Sequence, residues 1–161
     1  MRRIISVIML YGIMVMVSSC SRVSDVAKTT VRLYFVDSEL SRLLPYEAEI
    51  AEGDPGQMAQ AAMDKLTEGR DDNKKIRRLL PRKRLWVRVS GDVAYVDLPS
   101  DIAEAVPQSR DIERLIIYQI TDTLTDLKGI RFVRFTVDGE ERKELMGFFD
   151  MREAYKYRYP E

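Results

Sequence analysis

The stretch LWVRVSGDVAYVDL, Leu85 to Leu98, decides the fold. Leu85–Val89 and Val93–Leu98 are rich in β-branched and aromatic residues, and Ser90-Gly91-Asp92 between them supplies the positive φ that a tight hairpin requires. The reading is an antiparallel strand pair. Side chains alternate along a strand, so Trp86 points away from the face that carries Leu85 and Val87. Trp86 is therefore expected on the uncovered side of a sheet, as a candidate partner surface.

Downstream, residues 99–107 read as a loop with one helical turn, and Ser109 caps a long helix that ends at Lys128-Gly129. Ile112, Leu115, Ile116, Ile120, Leu124 and Leu127 form its apolar face. Ile130–Val137 is the next strand, and Asp138-Gly139 turns it into EERKELMGFF, read as a further strand. Upstream, Val31–Asp37 and Tyr46–Ile50 read as strands. Between Asp54 and Gly69 lies a helix with every terminal signal: Asp54 as N-cap, Pro55 at the first position, Gln57 closing a capping box and Gly69 as stop. Its buried stripe is Ala59, Ala62, Met63 and Leu66.

The order is ββα, ββα, ββ, and two helices cannot cover both faces of such a sheet. The expected class is α/β, a two-layer sandwich in which a mixed, largely antiparallel sheet is backed by two helices, spanning residues 31–150 with 151–161 as a C-terminal tail. At 161 residues, 45% hydrophobic and 32% charged, the chain holds enough apolar material for one core and too much for disorder.

Function classes fall away by composition. Histidine is absent and cysteine occurs once, which removes His-dependent acid/base and nucleophile chemistry, intrachain disulfides and Cys-rich metal sites. With 26 basic and 26 acidic side chains, no global field steers the chain toward nucleic acid. Neither a calcium loop nor a Gly-rich phosphate cradle occurs. The carboxylate pairs Asp97/Asp101 and Asp122/Asp126 lack a cleft-forming context, and the helical pair is expected to face solvent beside Lys128. The expectation is a non-enzymatic protein with no catalytic residues, no cofactor and no metal.

At the amino terminus, Arg2-Arg3 precedes fourteen mostly apolar residues, Ile4–Val17, a signal-peptide pattern shorter than the roughly 20 residues of a spanning helix. V-S-S-C, Val17–Cys20, resembles the bacterial lipobox. Residues 1–19 are thus expected to be removed as a lipoprotein signal peptide and Cys20 to carry the lipid, the alternative being a leftover thiol near an ordinary cleavage site. Removal takes Arg2 and Arg3, so 24 basic residues face 26 acidic ones, a formal charge of −2. Residues 20–30 are read as a flexible tether. The expected location is exported and lipid-anchored, on the outer face of the inner membrane or on the outer membrane.

The densest charge lies in KKIRRLLPRKR, where Lys74, Lys75, Arg77, Arg78, Arg82, Lys83 and Arg84 form a candidate site for an anion or a partner. The alternative is a solvated loop whose charges pair with Asp71, Asp72 and other acids. Phe148, Phe149, Tyr155, Tyr157 and Tyr159 cluster at the carboxyl end, either to cover a sheet edge or to stack sugars or a partner.

Five fragments in order, VRLYFVD, AMDKLTEG, LLPRKRLWVRVSGDVAYVDLPSDI, ITDTLTDLKGIRFVRFTVDGE and ELMGF, resemble the GerMN domain family of sporulation and germination lipoproteins. The resemblance covers Val31 to about Asp150. It implies a small exported domain, often lipid-anchored, with a mixed sheet backed by two helices and a likeness to ring-building modules of secretion systems. No catalytic residues are carried over. The chain departs from the family at Gly69-Arg70, where Gly-Pro is common, and at Arg82-Lys83-Arg84, where a Gly-Thr step is common. The resulting expectation is a protein-binding or assembly module of the envelope, acting on an envelope protein or on itself and not on nucleic acid. The alternative is a protein that binds or remodels wall polymer or peptidoglycan, or meets anionic lipid, through the basic loop and terminal aromatics.

Overall fold

The computed structural model describes residues 27–70 and 74–158. Cys20, the expected signal peptide 1–19, the tether up to residue 26, Asp71, Asp72 and Tyr159 lie outside them. Strand β1 (Lys28–Asp37) pairs antiparallel with β2 (Leu43–Ala51), and its last two residues pair with a short β3 (Ile76–Arg77). Helix α1 (Pro55–Glu68) lies between β2 and β3 in the chain. A second sheet holds β4 (Val87–Ser90), β5 (Val93–Leu98) and β6 (Phe132–Val137). A 3₁₀ turn (Ser100–Ile102) and helix α2 (Arg110–Thr125) connect β5 to β6. The expected α/β class with two helices against mostly antiparallel strands holds.

Local signals act as read. Asp54 accepts from the Gln57 amide at 3.0 Å while the Gln57 side chain accepts from the Asp54 amide at 3.2 Å, so the capping box of α1 is closed. Gly69 ends the helix at φ 73°, and Gly91 turns the β4–β5 hairpin at φ 61°. β4 and β5 are antiparallel, but β5 and β6 are parallel. Parallel neighbours need a crossover, and α2 is that crossover.

The structure corrects several expectations. The strands divide into two three-stranded sheets, because helix side chains occupy the edges along which the sheets would merge. The Gln60 amide of α1 donates to the Leu85 carbonyl at 3.0 Å and accepts from the Val87 amide at 2.9 Å, taking the place of a neighbouring strand at the edge of β4. Thr123 of α2 accepts the Tyr34 amide of β1 at 3.0 Å through its hydroxyl. Both are helix-covered edges. β1 begins at Lys28, so Lys28–Thr30 belong to the sheet and not to a tether. EERKELMGFF is not a strand. The Asp138-Gly139 turn, with φ 53° and 79°, leads only to a Val137–Glu140 bridge before the chain wraps across α2. Residues 151–158, read as a tail, pack on the domain: Met151 and Tyr155 are buried, and Tyr155 bridges Val133 on the outer edge of β6. Covering a sheet edge is thus what Tyr155 does.

One core unites the two sheets. α1 packs on β1, β2 and β4, whereas α2 packs on β1 and β6 and touches α1. Asp37 closes the β1–β2 connection. Its buried carboxylate accepts from the Ser41 hydroxyl at 2.6 Å, the Ser41 amide at 2.7 Å and the Arg42 amide at 3.3 Å. Burial by itself raises its pKa, but these three hydrogen bonds together with the Arg42 charge outweigh it and leave the value below the ordinary one. Because the folded-state value lies below the unfolded one, this carboxylate adds stability above about pH 4, and that stability is lost as the pH falls through its depressed value. Urea melts at pH 5 and pH 3 are expected to show a larger drop for the native chain than for Asp37→Asn.

Candidate functional site

Alternation along the second sheet separates its faces. Ala94, Val96, Leu98, Val133, Phe135 and Val137 are buried against the helices. The opposite face carries three cross-strand rows set by the register: Trp86, Asp97 and Thr136; Arg88, Tyr95 and Arg134; Ser90, Val93 and Phe132. The Trp86 carbonyl accepts from the Asp97 amide at 3.2 Å, so the pairing continues one residue beyond β4.

On this face Trp86 is 64% exposed, as alternation predicted. The Arg84 guanidinium sits 4.5 Å from its ring centroid and Arg88 sits 4.7 Å from that of Tyr95. Such stacking holds an arginine flat on the sheet while leaving its N–H groups to solvent. Arg84 also reaches Asp64 at 3.2 Å, and Arg131 pairs with Asp92 at 2.5 Å. Arg88 makes no ion pair with the described residues, and Arg134 donates only to the Arg152 carbonyl at 2.8 Å. Asp97 is held by the Thr136 hydroxyl and the Gly139 amide, both at 2.7 Å. The result is an aromatic surface with two guanidinium groups flanking Tyr95 that form no ion pair among the described residues.

The basic stretch is not gathered into one patch. Arg78 turns back to α1 and donates to the carbonyls of Thr67 and Glu68 at 2.6 and 2.7 Å, satisfying the helix end. Lys83 pairs with Asp101 at 2.9 Å. Arg77 lies in β3, Lys74 and Lys75 are exposed before it, and Arg82 is exposed beside Lys83. Of the seven, Arg84 alone joins the Trp86 face.

The carboxylates are used for structure. Asp126 holds Arg32 at 2.5 Å. Asp122, expected to face solvent, is buried and accepts the Arg158 amide at 3.0 Å, because the chain end folds over α2. Sequence reasoning missed Glu113, which is fully buried and accepts the amides of Met146 and Phe148 at 3.0 and 2.9 Å. The one available signal was its i, i+3 spacing from Ile116 on the apolar side of α2. Asp97 and Asp101 do not converge, since one is held within the sheet and the other by Lys83. Among the described residues no group of three or more Asp, Glu, His or Cys side chains is placed to hold a metal ion, and no helix is long and apolar enough to cross a membrane.

Three solved structures share this arrangement. A protein of Clostridium perfringens assigned as a lipoprotein is 22% identical, with a TM-score of 0.57 over 81% of this chain and 88% of that one. The tandem GerMN domains of the sporulation protein GerM from Bacillus subtilis are 19% identical, with a TM-score of 0.61 over 81% of this chain and 46% of theirs. The first of those domains alone is 18% identical, with a TM-score of 0.60 over 83% and 99%. At such identities the likeness speaks for the fold. No curated protein matches the chain. The profile of the Germane family, described as sporulation and spore germination, matches residues 32–143. That match runs from within β1 past the end of β6 and includes both helices, and the chain therefore belongs to the Germane family.

Proposed function

We propose that this chain is a lipid-anchored, non-enzymatic protein of the cell envelope that binds another protein through the outer face of β4, β5 and β6. One observation carries the reading. Trp86, Tyr95, Arg84, Arg88 and Arg134 stand together on an open sheet face, and tryptophan, tyrosine and arginine are the residues that dominate protein interface energetics. Supporting it are the lipobox-like V-S-S-C ending at Cys20, the sporulation and germination family, and a structural neighbour assigned as a lipoprotein. Acyl chains at Cys20 would hold the domain within a short tether of the membrane, where local concentration favours weak partners. Of the basic loop only Arg84 takes part, while Arg78 and Lys83 are engaged within the chain.

The test has two arms. In cells that make the protein naturally, a clickable fatty-acid analogue is expected to label the native chain and not Cys20→Ala, which should leave the membrane fraction. A photo-crosslinker in place of Ser90, at the rim of the same face, is expected to yield discrete protein adducts, and adding Trp86→Ala should cut their yield about tenfold. An unlabelled native chain sinks the anchor. Retention on purified peptidoglycan without adducts sinks the protein-binding role and favours the wall-polymer alternative.

A further inference from the structure

The other sheet carries a separate opening. β2 is its terminal strand, and the register settles which backbone groups point outward. The Glu52 amide donates to the Ala27 carbonyl at 2.7 Å, one step beyond the Lys28–Ala51 pair. Hydrogen-bonding residues alternate along an antiparallel pair, so Tyr46, Ala48 and Ile50 face β1 while Glu47, Glu49 and Ala51 direct their N–H and C=O groups away from it. Pro45, which has no N–H, falls in the same outward phase. On the opposite strand Tyr34 directs its amide to Thr123, as this phase demands.

Every other long edge is closed at least in part: β1 by Thr123 and β3, β4 by Gln60, β6 by Tyr155 and Glu140. Among the described residues, no backbone group pairs with the outward edge of β2 between Glu47 and Ala51. Beside that edge runs a groove of about 590 Å³ whose other wall is formed by Ala61 and Lys65 of α1 and by Arg70 just beyond its end. A strand edge next to a helix wall is the geometry of strand addition, in which main-chain bonds supply affinity and alternate side chains supply specificity.

Charge selects the occupant. Glu47 and Glu49 stand exposed on one side of β2, and Glu49 meets Lys28 only at 3.4 Å with both two-thirds exposed. A second copy pairing antiparallel through β2 would set these carboxylates against each other across the strands, which is unfavourable. On the α1 side, small Ala48 and Ala61 and the cationic Lys65 face the groove. We propose that β2 accepts an extended segment of another polypeptide as a fourth strand, with basic residues alternating toward Glu47 and Glu49 and small apolar or acidic residues toward Ala61 and Lys65. This surface is distinct from the Trp86 face.

The probe is a fluorescein-labelled nonapeptide in which lysine alternates with valine and aspartate, titrated into the full-length chain and read by anisotropy. Saturable binding is expected, about tenfold weaker for a scrambled peptide of the same composition. N-methylation of alternate peptide amides is expected to abolish binding in one phase and spare it in the other. Hydrogen exchange at Glu47, Glu49 and Ala51 should slow when the peptide is bound. Glu49→Pro, which removes one outward N–H, is expected to weaken binding about tenfold with an unchanged circular dichroism spectrum. Glu49→Lys, a surface change, should weaken the lysine peptide and favour its glutamate-for-lysine counterpart. Equal responses to both N-methylation phases, no saturation up to about 1 mM, or indifference to both Glu49 variants would each overturn the proposal. A concentration-dependent dimer that Glu49→Pro abolishes would overturn it too, assigning the edge to a second copy. Trp86→Ala should change none of these readings, so failure here and failure of the Trp86-face reading are distinguishable.

Discussion

Replacing Glu113 with alanine is expected to cost about 3 to 5 kcal/mol in urea denaturation, a large share of a typical domain's 5 to 15. The carboxylate is fully buried in the first turn of α2 and accepts two backbone amides, those of Met146 and Phe148. Near the start of a helix its charge also meets the positive end of the helix dipole. Alanine leaves both part-buried amides without this acceptor and empties the buried space the carboxylate filled, and the strand-free segment after Gly139 loses what pins it to α2. Limited proteolysis of the variant should therefore cut between Glu140 and Asp150 before the domain unfolds. Glu113→Gln keeps one acceptor but turns an N–H toward the second amide, so an intermediate loss of about 1 to 3 kcal/mol is expected. Equal stability of all three chains would contradict this role.

Ile120→Ala is expected to destabilise by a similar amount, about 3 to 5 kcal/mol, for a different reason. Ile120 is fully buried on the helix that touches β1 of one sheet and β6 of the other. Truncation removes three carbons of transfer free energy and leaves a cavity that the two sheets, each anchored by its own ladder, cannot collapse to fill. Ile120→Val removes a single methylene and should cost only about 0.5 to 1.5 kcal/mol. Chemical denaturation with a single transition in both variants would show that the sheets unfold as one unit, as their shared core requires.

Much of the fold was legible because its signals are local. Asp54, Pro55, Gln57 and Gly69 mark both ends of α1 through backbone chemistry within a few residues, and Ser109 marks the start of α2 by accepting the Ile112 amide at 3.2 Å. The apolar face expected for α2 is buried throughout, with Leu127 just beyond the helix end. The exposure of Trp86 followed from strand alternation alone. The segment after Gly139 misled because ELMGFF has the apolar character of a strand, yet two of its amides, those of Met146 and Phe148, are satisfied by the Glu113 carboxylate more than thirty residues earlier. The basic stretch was legible only in part. Its charge density is visible in the sequence, but the guanidinium of Arg78 is consumed by a helix end and the ammonium of Lys83 by Asp101, and neither pairing leaves a trace in local pattern.

By itself the sequence determined both helices with their caps, the strands β1, β2, β4, β5 and β6, the burial stripes, the family and the absence of histidine, since each of these is written in residue identity or short-range periodicity. Tertiary structure alone decided that the strands form two sheets and not one, that α2 is enclosed on its polar side as well, and that the edge of β2 is left unpaired among the described residues. Those outcomes depend on single side chains, Gln60, Thr123, Glu113 and Asp122, competing for backbone groups distant in the chain. Which donor meets which acceptor across such distances is settled only when the core has brought them together.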